Sequence, residues 1–333
     1  MKSGSRKNAL DLIRRRYSVV EFAFPSQGFL SGQIMHPAKV LIAAVILAAL
    51  GVRGSAAQQN LGAQGAEGEP NRLQQWLVPS PDFGPPQHAI LFRPPGDGPF
   101  PLALIAHAST QNVLRRAQMP QPEYRALAAW LVARGFAVLV PERPGHGATG
   151  GKYLEDQGGC DEADYAKSGR ATADVIAAAM GFVRKQPFIR SEGMVVIGHS
   201  AGGWGALALA SEDPKQVSGI IAFAPGRGGH ANDSPNQVCA PHTLVAAAAE
   251  FGKTARVPVT WLVAANDSYF SPTLSRQLAD AFRKAGGKVD FRVLGAYGSE
   301  GHWLPETEGG VKSVVSELDR ALKPRSANPA KKR

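Results

Sequence analysis

The chain has 333 residues, 44% of them hydrophobic and 19% charged, an ordinary globular composition long enough to bury a sizeable core. Its net charge of +10 sits at the two ends: residues 1–57 hold eight Lys/Arg against two Asp/Glu, and residues 323–333 hold five basic residues and no acidic one. The 24 basic and 25 acidic residues between Gln58 and Leu322 leave the folded part near neutral, which argues against nucleic acid as a partner, since that needs charge clustered on the domain itself.

In chain order, the first signal is residues 40–50 (VLIAAVILAAL), an apolar run preceded by Lys39 and followed by Ser55-Ala56-Ala57. A basic start, a short apolar stretch and small residues at the −3 and −1 positions describe a secretory signal peptide cleaved after Ala57. The run is shorter than the ~20 residues a membrane-spanning helix needs, so no stable span is expected once it is removed. Met35 would open a signal of ordinary compact length, so residues 1–34 read as an upstream extension; a long basic start or an uncleaved anchor is the alternative. The protein is therefore expected to be exported, to a periplasm or to the medium. Residues 58–86, rich in Gly, Gln and Pro, read as a linker or an N-terminal arm.

From residue 87 to 322 short apolar runs alternate with helical patterns. Strands are expected at 88–92 (HAILF), 102–107 (LALIAH), 136–140 (FAVLV), 194–198 (MVVIG), 217–224, 257–264 (VPVTWLVA) and 289–294. Helices are expected at 124–134, closed by Gly135, and at 171–184, 202–211, 244–251, 274–285 and 311–322. Near-continuous apolar strands alternating with helices describe a single doubly wound domain, a mostly parallel sheet covered on both faces. Residues 323–333 form a basic tail.

The segment Gly198-His199-Ser200-Ala201-Gly202 has the form G-x-S-x-G between an apolar strand and a small-residue helix. A serine on so sharp a turn is pushed out of the sheet, and its neighbours must be small. The helix behind it offers free N–H groups and a positive dipole end. A serine hydroxyl needs a base, and the base needs an orienting carboxylate; a nucleophile elbow predicts the order Ser, acid, His. Asp267, just past the strand that ends at Ala264, and His302, in the loop Gly298-Ser299-Glu300-Gly301-His302-Trp303, satisfy that order. His230 and His242 precede Asp267 and break it. An oxyanion hole would take the backbone N–H of Ala201 and one from the loop His107-Ala108-Ser109-Thr110, by position that of Ser109. The chemistry requires no metal and no organic cofactor.

These features resemble the α/β-hydrolase superfamily, and within it the dienelactone hydrolase-like and small exported esterase branch. The elbow, the acid loop Asn266-Asp267-Ser268-Tyr269-Phe270-Ser271-Pro272, the His302 loop and the segment Glu142-Arg143-Pro144-Gly145-His146-Gly147 carry the likeness, over residues 87–322. It implies a mostly parallel eight-stranded sheet, and Ser200, Asp267 and His302 as nucleophile, acid and base. Two departures stand out. The oxyanion loop has His107-Ala108 where His-Gly is frequent, and the elbow carries serine where dienelactone hydrolases carry cysteine.

The expected reaction is hydrolysis of a small-molecule ester or lactone through an acyl-serine; a peptidase or acyltransferase with the same triad, or a non-catalytic binding protein on this scaffold, remain open. Two cap-like loops, residues 141–169 and 226–241, should shape the pocket. Cys160 in one and Cys239 in the other form a candidate disulfide, as an oxidising compartment permits. Arg143, His146, Arg227, His230 and Trp204 are candidates for the pocket wall, with solvated loop charges and, for Trp204, packed core as the alternatives.

Overall fold

The computed structural model describes residues 60–323. The signal segment, the cleavage site after Ala57, the start at Met35 and the basic tail beyond Lys323 lie outside the described residues. Among those described, no helix is long and apolar enough to cross a membrane.

The strands are β1 (Gly62–Ala63), β2 (Gln74–Val78), β3 (Gln87–Phe92), β4 (Phe100–Ala106), β5 (Ala137–Pro141), β6 (Ile189–His199), β7 (Val217–Phe223), β8 (Val259–Ala264) and β9 (Val289–Leu294). They form one nine-stranded sheet in the order β1-β2-β3-β5-β4-β6-β7-β8-β9. Pairing is antiparallel from β1 to β5 along that order and parallel from β5 to β9. The sheet thus has nine strands where eight were expected. Residues 58–86, read as a linker or an arm, supply β1 and β2, which continue the sheet beyond β3. Their Gly, Gln and Pro content hid Gln74–Val78, in which Trp76, Leu77 and Val78 are buried and only Gln75 is exposed.

The helices are α1 (Val113–Ala117), α2 (Arg125–Val132), α3 (Tyr165–Val183), α4 (Ala201–Ser211), α5 (Pro241–Thr254), α6 (Pro272–Lys284), α7 (Glu308–Ser313) and α8 (Val315–Leu322). The third helix begins at Tyr165, six residues before the expected start, because Asp164 caps it by accepting from the Lys167 N–H at 2.8 Å. The first cap-like loop is correspondingly shorter than 141–169. The closing helix expected at 311–322 is two, broken at Val314, whose backbone leaves the helical region (φ −121°, ψ 13°).

Strand residues alternate between the two faces. In β6, Met194 and Val196 pack into the core under α3, α4, α5 and α6, while Val195 and Ile197 face the core under α2 and α8. Helix α4 is buried on every side, with only its C-terminal Ser211 partly exposed. It approaches α3 closely because Gly205 faces Thr172, and a Cβ at Gly205 would run into the threonine side chain. The sheet is therefore covered on both faces, and its parallel strands deliver their C-terminal ends to one edge, where open α/β sheets build their sites.

Candidate active site

Ser200 is the first residue after β6 and the cap of α4. Its backbone sits at φ 55°, ψ −117°, a conformation rarely held by a residue with a side chain. Three hydrogen bonds hold it there. The Ser200 N–H donates to Phe223 O at 2.9 Å, and the N–H groups of Trp204 and Gly226 donate to Ser200 O at 2.8 and 3.2 Å. The two glycines of the motif are sterically required: a Cβ at Gly198 would meet the Gly202 carbonyl and Gly203, and one at Gly202 would strike the backbone of Ala106. The side chain faces a cavity of about 970 Å³, lined also by Ala201, Ser109, Arg227, Tyr269 and Trp303.

Asp267 follows β8, its N–H donating to Ala264 O at 3.1 Å. One carboxylate oxygen, Oδ1, accepts from the N–H groups of Tyr269 and Phe270 at 2.9 and 2.8 Å. The other, Oδ2, accepts from His302 Nδ1–H at 2.9 Å. That bond assigns the Nδ1–H tautomer and leaves Nε2 with a free lone pair. The acid and histidine loops are stitched together by Asn266, whose Oδ1 accepts from the Tyr297 N–H at 2.9 Å and whose Nδ2 donates to Tyr297 O and Gly298 O, both at 3.1 Å. Glu300 adds a second stitch, accepting from the N–H groups of Ser268 and His302 and from the Ser268 hydroxyl.

The His302 ring is 98% buried, with Tyr269 stacked on one face at 4.2 Å. Burial lowers its pKa below that of an ordinary imidazole by more than the Asp267 hydrogen bond raises it. Ser200 Oγ and His302 Nε2 make no hydrogen bond to each other, or to any other group, among the described residues. Their loops are nevertheless joined: the ring of His199, the residue before Ser200, donates from Nε2 to the His302 carbonyl at 2.8 Å.

The loop after β4 is built as firmly. His107 donates from Nδ1 to Ala108 O at 2.6 Å and accepts at Nε2 from the Arg143 N–H at 3.1 Å. Burial above all, with Arg143 and His146 nearby, pushes its pKa well down and keeps the ring neutral. Ala108 O and the Ser109 N–H belong to one planar trans peptide and point in opposite directions, so clamping the carbonyl orients the N–H. The Ala108 N–H is occupied by Tyr124 Oη at 3.3 Å, whereas the N–H groups of Ser109 and Ala201 have no partner among the described residues. The Ser109 hydroxyl is fixed by His146 Nε2 at 2.7 Å. His146 gives its Nδ1–H to the Arg143 and Pro144 carbonyls, and burial pushes its pKa down to about 4, so it accepts from Ser109.

Beneath this loop lies an ionic network that sequence reasoning missed. Glu155 is paired with both Arg143 and Arg227, all three side chains at most 2% exposed. Burial pushes the Glu155 carboxyl up, but the two guanidinium groups more than reverse it and hold it far below the carboxylate range. Arg143 also donates to His107 O at 2.8 Å, and Arg227 donates to Tyr153 Oη at 3.0 Å and Thr172 Oγ1 at 2.8 Å. Arg143, His146 and Arg227 are therefore buried structural groups, not solvated loop charges; only Arg227 of the three lines the cavity. His230 lines it as well, stacked on Tyr269 at 3.5 Å. Trp204 is core, its Nε1–H donated to Tyr165 O at 2.8 Å. Cys160 and Cys239 form a disulfide, Cα–Cα 4.8 Å, tying the loop after β5 to the loop after β7. Nothing local in the sequence marked Glu155 as the partner of arginines 12 and 72 residues away.

Residues 121–255 match the family described as "Serine aminopeptidase, S33". No curated protein matches the chain in sequence. Among solved structures, the acylaminoacyl peptidase of Pyrococcus horikoshii superposes with a TM-score of 0.55 at 12% identity, over 79% of this chain and 43% of that one. An esterase of Pyrococcus furiosus gives 0.52 at 14% identity, over 79% of this chain and all of that one. A cold-adapted esterase from an Arctic intertidal metagenomic library gives 0.51 at 18% identity, again over 79% and 100%. The chain spans less than half the length of the acylaminoacyl peptidases it resembles. By its sheet, its elbow and these likenesses, the chain has the α/β-hydrolase fold.

Proposed function

We propose that the protein is an exported serine hydrolase that cleaves a small-molecule carboxylic ester or lactone through an acyl-serine intermediate. The observation that carries the reading is the Asp267–His302 hydrogen bond, with a free His302 Nε2, built into the loops beside a strained Ser200 that opens onto the cavity. In this reading His302 Nε2 takes the Ser200 proton as Oγ attacks the carbonyl carbon. The N–H groups of Ala201 and Ser109 receive the oxyanion, each worth about 3–4 kcal/mol in comparable sites. His302 then returns the proton to the leaving oxygen, and water repeats the sequence on the acyl-enzyme. The Ser200–His302 hydrogen bond need not preform, because such bonds tighten in the substrate complex. The size of the cavity suits a small substrate, and the esterases it resembles match along their whole length. Export fits the disulfide and the apolar run at residues 40–50.

A peptidase is the second reading, favoured by the family description and by the acylaminoacyl peptidases with the same fold. The deciding experiment is intact-mass labelling with a fluorophosphonate, followed by ester and peptide substrate panels. A single adduct that disappears in Ser200→Ala is expected, with turnover of esters over peptides. Absence of any adduct on folded protein would remove the serine mechanism, and turnover of peptides alone would move the assignment to the peptidase.

A further inference from the structure

Beside Ser200 lies a second polar cluster that the proposed reaction does not use. Three atoms form a triangle: His199 Nδ1, Tyr124 Oη and Glu306 Oε1. The edges are 2.9 Å between His199 and Tyr124, 3.2 Å between Tyr124 and Glu306, and 3.1 Å between His199 and Glu306. The other ring nitrogen of His199 faces the His302 carbonyl at 2.8 Å, and Tyr124 Oη accepts the Ala108 N–H at 3.3 Å. One triangle therefore touches the oxyanion loop, the residue before Ser200 and the backbone of His302.

Counting protons shows what the triangle needs. A carbonyl cannot donate, so His199 Nε2 must carry a proton. Tyr124 brings one proton, enough for one of its two edges or shared between them. The remaining edge joins a ring nitrogen to a carboxylate oxygen; bare, it would set two lone pairs against each other in a site where His199 is 1% exposed. That edge requires a proton of its own, held between His199 Nδ1 and Glu306 Oε1. Burial pushes the Tyr124 hydroxyl well up, so its proton stays. Burial pushes Glu306 up as well, but the hydrogen bonds from His199 and Tyr124 hold its carboxyl below the usual range. The titratable groups facing the ring are Tyr124, Glu306 and His302, with Asp267 and Glu300 behind His302 and Arg143 beyond Tyr124.

We propose that His199 and Glu306, sharing a proton and bridged by Tyr124, are positioning residues that lock the His302 loop and the oxyanion loop onto the serine elbow. The role rests on the serine-hydrolase reading. With the shared proton on the His199 ring, 4.9 Å from that of His302, protonation of His302 is also disfavoured, which keeps the base free at lower pH. The clamp is complete while the shared proton is present and opens as rising pH removes it.

The test combines fluorophosphonate labelling rates across pH with imidazole ¹⁵N NMR on the full chain, for wild type, His199→Gln and Glu306→Gln. In wild type at neutral pH the His199 ring should show both nitrogens protonated, and in Glu306→Gln one. His199→Gln should label about tenfold more slowly, as misplacement of the reacting groups predicts, and its acid limb should move to higher pH. Glu306→Gln keeps the oxygen but not the charge, and its half-exposed position spares the fold; it should lose the alkaline fall in rate that marks the opening clamp. A neutral His199 ring in wild type overturns the shared proton. Wild-type rates and pH limbs in both variants overturn the positioning role alone. A wild type that takes no label at Ser200 overturns the serine reading, and the positioning role with it.

Discussion

The two flanks of Ser200 are held by different physics. On one, Arg143, Glu155 and Arg227 bring full charges out of water and satisfy them against each other. On the other, Tyr124, His199 and Glu306 share protons, and the Glu306 side chain is 39% exposed. A buried ion cluster is all or nothing, because removing one member strands the others in a medium that cannot solvate them. A proton-sharing triangle at the edge of water can be loosened by pH without unfolding the chain. The first flank should therefore report on stability, and the second on activity and its pH dependence.

The largest effect is expected at Asp267. Asp267→Asn removes the carboxylate that sets the His302 tautomer, and the turnover rate should fall about 10⁴-fold while the thermal midpoint changes little. A loss below tenfold would detach Asp267 from the reaction. On the ionic flank, Glu155→Ala leaves two buried guanidinium groups facing each other, and denaturant unfolding should show a loss of about 3–5 kcal/mol. Glu306→Ala, on the half-exposed flank, should cost about 1 kcal/mol or less; equal losses in the two variants would mean that the flanks do not differ in this way.

The disulfide belongs with the ionic flank, since it anchors the loop that carries Glu155. Replacing both cysteines by serine removes a cross-link between positions 79 residues apart, and chemical unfolding should register about 2–4 kcal/mol. Iodoacetamide should modify neither cysteine in the unreduced protein. The smallest effect is in the acid limb of kcat/KM. His302 must be unprotonated to act as a base, and its burial lowers its pKa. Activity should therefore persist below pH 6.5, the ordinary imidazole value, and fall only as pH drops through the depressed value. A midpoint above 6.5 would mean that Asp267 outweighs burial.

Much of the architecture was legible because parallel strands buried on both faces leave continuous apolar runs, as in Val195-Val196-Ile197 and Val259–Ala264. The elbow was legible because its sterics require glycine at positions 198 and 202, two residues to either side of Ser200. Strand β2 was not, since only three apolar residues, Trp76 to Val78, follow its two glutamines, too short a run to read as a strand until β1 and β3 pair with it. The start of α3 was missed for a related reason: Tyr165 looks like a loop residue until it packs against Trp204 and the loop after β7.

The sequence by itself determined the local events, each driven by forces acting over a few residues: which segments extend, which coil, where a serine is forced onto a sharp turn, and in what order an acid and a histidine follow it. Tertiary structure alone decided which charges are buried together. Glu155 meets Arg227 across 72 residues, and His199 meets Glu306 across 107. Desolvation and hydrogen bonding at such contacts set the protonation of the site, and both depend on what the folded chain brings within 3 Å, not on what lies beside a residue along the backbone.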